Sequence, residues 1–172
     1  MASDILCLQE THMNHPARIE LKEMITTSSY GDHGIAVYTH IRVQILNTKI
    51  YIKTGVEIVH LTIKLFNITL EILTLYKTPN VKLQCFLDLL DKALRKPDKT
   101  HNIICMGDFN IDAQKSTHTF ATFQRFMRTN NMFLLNKTST TIYNSTLDHI
   151  WTSHLPQQTY CLELTIAIGW II

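Results

Sequence analysis

Three acidic segments of the chain stand at the ends of apolar, strand-like runs: Leu8-Gln9-Glu10-Thr11, Gly107-Asp108-Phe109-Asn110 and Leu147-Asp148-His149-Ile150. A carboxylate at a strand end is partly desolvated at small cost and held rigidly by the sheet, which is what a divalent-cation site needs. Taken singly, each segment has a plainer account. A Gly-Asp after a strand makes an ordinary turn, and a Gln-Glu-Thr serves equally well as a helix cap or solvated loop. The distinctive feature is the order in which all three occur.

The elements that must position these residues can be read from periodicity. Ile5-Leu6-Cys7-Leu8 is a short continuous apolar run, expected to form a buried strand, and Gly34 to Tyr38 predicts a second. Val56 to Leu65 and Leu70 to Tyr76 are rich in β-branched residues and predict two more. Thr78-Pro79-Asn80 breaks the pattern. Leu83, Phe86, Leu87, Leu90 and Leu94 then recur at three- and four-residue steps, an amphipathic helix that Pro97 stops. Asn102 to Met106 predicts a strand buried on both faces, Thr119 to Met127 a second helix, and Thr146 to Trp151 a last strand. This order fits α/β architecture: two mixed sheets packed face to face with helices outside.

Composition bounds the partners. The 172 residues suit one domain, and 45% hydrophobic against 17% charged residues excludes a disordered chain. A net charge of +2 neither requires nor excludes nucleic acid. Cys7, Cys85, Cys105 and Cys161 show no Cys-x-x-Cys spacing and read as reduced, buried thiols of an intracellular protein, the nucleus included. The acceptor-like triplets beginning at Asn67, Asn136 and Asn144 are chance matches in such a protein. No apolar run reaches the roughly 18–20 residues of a membrane span. The nine histidines include no His-x₃₋₅-His pair beside cysteines, so no structural zinc is expected. Lys92, Arg95, Lys96 and Lys99 read as a solvated helix face.

Over roughly residues 3 to 153 the chain resembles the endonuclease/exonuclease/phosphatase superfamily, most of all its retroelement, AP-endonuclease-like branch. The resemblance lies in Leu8 to Thr11, Tyr76 to Asn80, Gly107 to Asn110 and Leu147 to Ile150, in that order, with His33 to Tyr38 similar to the family's glycine-led strand. It implies a four-layer αββα sandwich and hydrolysis of a phosphodiester by in-line attack of water. It also implies roles. Glu10 would ligate Mg²⁺, with Mn²⁺ as a substitute. Asp108 would activate the attacking water, Asn110 would position it and donate to the phosphate, and Tyr76 would hydrogen-bond a phosphate oxygen. Asp148 would orient a histidine from a closing Ser-Asp-His segment. His149, on the opposite face of its strand, reads as structural.

Two parts of the family pattern have no counterpart in residues 1–172: the strand and helix that precede Gln-Glu-Thr, and the closing Ser-Asp-His, for which His154 falls too early. The expectation is therefore one incomplete domain with impaired activity. DNA is the expected substrate, with a catalytically silent, metal- or nucleic-acid-binding relic and a phosphatase of the same fold as alternatives.

Overall fold

Alternation of side chains along extended backbone decides the architecture. The computed structural model describes residues 4–12, 21–29, 31–65, 68–95, 102–136, 138–141 and 143–153, and the backbone of residues 166–170. The strands are β1 (Ile5–Gln9), β2 (Met24–Ser28), β3 (Ile35–His40), β4 (Gln44–Lys53), β5 (Val56–Leu65), β6 (Ile68–Lys77), β7 (Asn102–Asp108), β8 (Phe133–Leu134), β9 (Asp148–Thr152) and β10 (Ile166–Trp170). The helices are α1 (Leu83–Leu94), between β6 and β7, and α2 (His118–Thr129), between β7 and β8. One sheet runs β10-β1-β3-β2, the other β4-β5-β6-β7-β9-β8.

Both sheets are mixed. β10 lies parallel to β1 and β6 parallel to β7, while the remaining neighbours are antiparallel. The parallel β6–β7 pair is joined through α1, the crossover that such a pair requires. Consecutive residues of the central strands enter two different cores. Ile72 and Met106 meet Ile5, Cys7, Ile35 and Val37 between the sheets, whereas Leu73, Leu75, Cys105 and Trp151 face Phe86, Leu90, Phe123 and Met127 of the helices. That double burial explains why β6 and β7 read as continuous apolar runs. Thr117 caps α2, its hydroxyl accepting from the Phe120 N–H at 3.1 Å. Among the described residues, both helices cover the six-stranded sheet.

Four strands were not expected from periodicity. β2 and β4 are edge strands whose side chains are mostly exposed, so they lack the apolar signature of burial. β4 pairs with β5 through a two-residue Thr54-Gly55 turn, with Gly55 at φ 73°. β8 is only two residues long, and β10 lies in the terminal apolar stretch. Cys7 and Cys105 are buried free thiols, but Cys85 is only half-buried, because it sits at the margin of the apolar stripe of α1. Cys161, Asn67, Lys96, Lys99 and His154 lie outside the described residues. Asn136 serves the fold: its amide donates to the Asp148 carbonyl at 2.7 Å and accepts from Ile150 N–H at 2.8 Å, acting as a strand partner for β9. Arg95 is exposed and pairs with Asp91 one turn back.

Gly107 sits at φ 139°, and a Cβ there would lie 1.9 Å from the Leu75 carbonyl oxygen of β6. The obstacle is backbone on a paired strand, which cannot rotate away. Gly107→Ala is expected to destabilise the protein by more than about 4 kcal/mol, or to prevent folding. Urea unfolding followed by tryptophan fluorescence checks this, and a loss below about 1 kcal/mol would contradict the crowding.

Candidate active site

The register of the six-stranded sheet places one row of polar side chains at its end. Glu57 of β5 is opposite Tyr76 of β6, Tyr76 is opposite Asp108 of β7, and Asp108 is opposite Asp148 of β9. Partners in register point to the same face, and Tyr76 and Met106 lie in the core between the sheets, so the row faces the smaller sheet. Glu57, Tyr76, Asp108 and Asp148 are all buried.

Glu10 arrives from the other sheet. It follows the last residue of β1 and accepts a 2.5 Å hydrogen bond on Oε1 from the Tyr76 hydroxyl. Glu10 and His12 both occupy left-handed backbone, at φ 52° and 46°. For residues with a Cβ this costs roughly 1–2 kcal/mol each, and such strain concentrates at functional sites. Two backbone bonds hold the turn in place: Thr11 N–H to the Gly34 carbonyl at 3.2 Å, and His12 N–H to the His33 carbonyl at 2.8 Å.

Asp108 is the most perturbed carboxyl of the row. Burial, with Asp148 and Glu10 adding like charge, pushes its pKa up to about 7, against the pull of the Asn110 N–H and Lys77. The Asp108–Asp148 pair is directly opposed across neighbouring strands, where like charges destabilise. Asp148 is also raised by burial, and its Oδ1 has no partner among the described residues. Asn110, at φ 47°, gives its backbone N–H to Asp108 Oδ1 at 2.7 Å. Its side-chain amide donates to Asp108 Oδ2 at 3.0 Å and to the Lys77 carbonyl at 2.8 Å.

The five residues singled out in the sequence, Glu10, Tyr76, Asp108, Asn110 and Asp148, are thus brought to one place. Two of them are engaged differently from expectation. Both amide hydrogens of Asn110 are spent within the protein, so in this arrangement it holds Asp108 rather than offering a donor to phosphate. The Tyr76 hydroxyl donates a hydrogen bond to Glu10, and burial together with that carboxylate pushes the phenol pKa up, so it stays protonated. His149 lies on the far face, as alternation requires. It is fully buried, stacks on Phe109 at 4.7 Å between ring centres, and burial lowers its pKa to about 4, so it is neutral near pH 7.

Sequence reasoning passed over three neighbours. Lys77 is buried, its pKa lowered by burial while Asp108 raises it. Glu57 accepts from Ser29 Oγ at 2.5 Å, from His33 N–H at 2.9 Å and from Gly34 N–H at 3.1 Å, pinning the loop beneath Glu10. His33 packs its ring 4.8 Å from that of Tyr76. The available signals were adjacency in sequence to Tyr76, for Lys77, and to the glycine-led strand, for His33.

A family model described as the endonuclease/exonuclease/phosphatase family matches residues 2–168. No curated protein sequence matches the chain. Among solved structures, the endonuclease domain of TRAS1, a telomere-specific non-LTR retrotransposon, is 16% identical, with 86% of this chain and 71% of that one covered and a TM-score of 0.63. A humanized D. rerio TDP2 is 12% identical, with 91% and 72% covered and a TM-score of 0.63. The Bacteroides thetaiotaomicron mannosyl-6-phosphatase Bt3783 is 16% identical, with 87% and 71% covered and a TM-score of 0.63. At these identities the likeness is one of fold.

The raised pKa of Asp108 has a consequence for stability in the presence of a chelator. The unfolded chain loses this proton near pH 3.8 and the folded chain near pH 7, so the folded state binds more protons in between. Stability therefore falls as pH rises from about 4 to about 7 through this group, and the deficit is complete above about pH 7. Asp108→Asn is expected to flatten that slope and to unfold at higher urea than the native chain at pH 7.5. Urea titrations at a series of pH values measure both, and identical slopes would remove the claim.

Proposed function

The chain belongs to the endonuclease/exonuclease/phosphatase family, and on that premise we propose that it hydrolyses phosphodiester bonds of DNA with a divalent cation held at Glu10. The observation that carries this reading is the convergence of Glu10, from one sheet, on the Tyr76–Asp108–Asp148 row of the other. The residues suit a hard dication such as Mg²⁺. Asp108 and Asp148 oppose each other across β7 and β9, Glu10 adds like charge from the other sheet, and the repulsion felt by Asp108 is what a cation relieves. Glu10 spends only Oε1 on Tyr76, which leaves Oε2 for the ion.

When bound, the cation supplies charge neutralisation for the transferring phosphoryl group. The remaining tasks fall to side chains. Asp108, held by Asn110 at the end of β7, takes a proton from the attacking water. Asn110 and Lys77 fix that carboxylate, Asn110 by hydrogen bonds and Lys77 by charge. Tyr76 keeps its proton, and its hydroxyl would offer a hydrogen bond to a phosphate oxygen in place of the one it now gives Glu10. Asp148 has Oδ1 available for a cationic or imidazole partner; among the described residues no histidine meets it. Such a partner, acting as a general acid or base, would contribute about 10²–10⁴-fold to turnover.

DNA is preferred over a phosphate monoester because the wording of Gly107 to Asn110 and Leu147 to Trp151 resembles retroelement nucleases, and TRAS1 is described as a retrotransposon endonuclease. With supercoiled plasmid and Mg²⁺ or Mn²⁺, nicking is expected. Asp108→Ala and Glu10→Gln should each lower it by about 10²-fold or more, and a soluble inositol phosphate should remain intact. Nicking that persists in Asp108→Ala, or faster turnover of the inositol phosphate, would refute the assignment.

A further inference from the structure

Beside the carboxylate row, two imidazoles approach Glu10, neither of them among the residues singled out above for the chemistry. One nitrogen of His12, one of His33 and a carboxylate oxygen of Glu10 all lie within 4.8 Å of one another. We propose that Glu10, His12 and His33 form a three-ligand site for a borderline transition-metal dication, represented by Zn²⁺, with positions left open for water or phosphate. This rests on the preceding reading in sharing Glu10: a nitrogen-accepting ion would be held by the two imidazoles as well, whereas Mg²⁺ would use the carboxylate without them.

Three independent features point this way. First, the donor set is chemically specific. Two imidazoles and one carboxylate are a recurrent set for ions that accept nitrogen ligands, whereas Mg²⁺ prefers oxygen and water. Second, His33 is prepared as a ligand. Its Nδ1 is buried with no hydrogen-bond partner, its backbone N–H is fastened to Glu57, and its ring is flanked by those of Tyr76 and His12, at 4.8 Å and 5.8 Å between centres. Third, the two loops that carry the ligands are laced together by the Thr11–Gly34 and His12–His33 backbone bonds, with Glu10 and His12 held in left-handed conformation on either side of Thr11. The Glu57 anchor itself depends on Gly31, where a Cβ would lie 2.3 Å from the Glu57 carboxyl carbon. Metal–ligand bonds of about 2.0–2.2 Å are shorter than these separations, and His12, the exposed member, is the ligand with most room to close the gap.

The test is metal binding by the full chain, read without reference to turnover. Zn²⁺ is titrated calorimetrically, and Co²⁺ is followed by its visible ligand-field absorption. One equivalent of Zn²⁺ is expected to bind at least about 100-fold more tightly than Mg²⁺. His12→Ala and His33→Ala should each weaken Zn²⁺ at least about tenfold and reduce the Co²⁺ absorption, with Mg²⁺ affinity little changed. His12 is exposed, so His12→Ala keeps the fold; circular dichroism confirms this for both variants. Unchanged Zn²⁺ affinity in the folded His12→Ala protein, or no preference for Zn²⁺ over Mg²⁺, would overturn the proposal. The plasmid assay separates the two readings. Nicking that needs Glu10 while Zn²⁺ affinity ignores both histidines leaves the nuclease and removes this site. Zn²⁺ bound through all three residues with no nicking leaves the site and removes the nuclease.

Discussion

Strand register is the constraint on which the rest depends. One alignment across β5, β6, β7 and β9 sets Glu57, Tyr76, Asp108 and Asp148 in a single row, and a slip of one residue would turn the slipped strand's side chains to the helix-covered face. That alignment is protected by packing. Gly107 lets β7 approach the Leu75 carbonyl closely, and the residues next to the row, Phe109 and His149, are stacked in the outer core, where they have no room to exchange places with Asp108 and Asp148.

Against this rigid row the smaller sheet brings a strained turn. Glu10 and His12 carry the unfavourable backbone, and Glu57 reaches across from the larger sheet to hold the partner loop through Ser29, His33 and Gly34. The two sheets are thus tied at the site by polar bonds, Glu57 to the β2–β3 connection and Tyr76 to Glu10, in addition to the apolar core between them. Opposed carboxylates, a buried lysine and left-handed residues would each weaken a purely structural protein. All of them are concentrated at one end of one interface.

Legibility from sequence followed burial. Elements with one or two buried faces announced themselves: β1, β3, β5, β6, β7, β9 and both helices lie close to where apolar periodicity puts them. The edge strands β2 and β4 did not, because a strand with solvent on most of its side chains has no obligatory apolar pattern and is defined by the neighbour it pairs with. Asn136 makes the same point for a single residue. As a triplet it resembles a surface acceptor, yet its amide is consumed as backbone-like pairing for β9.

For the site, the chain alone singled out Glu10, Asp108 and Asp148 as candidates, since they stand at the ends or the start of apolar, strand-like runs in a recognisable order, and each such run fixes the side of its own strand on which its residues fall. Tertiary structure decided what those groups do to one another. The pKa of Asp108 comes from burial and from charges 40 and 98 positions away along the chain, at Asp148 and Glu10. Likewise, the meeting of His33 with His12 and Glu10 exists only because β1 and β3 pair in one register. Side-chain alternation is a local property and can be read from neighbours; desolvation and convergence are properties of space, and appear only once the sheets have closed on each other.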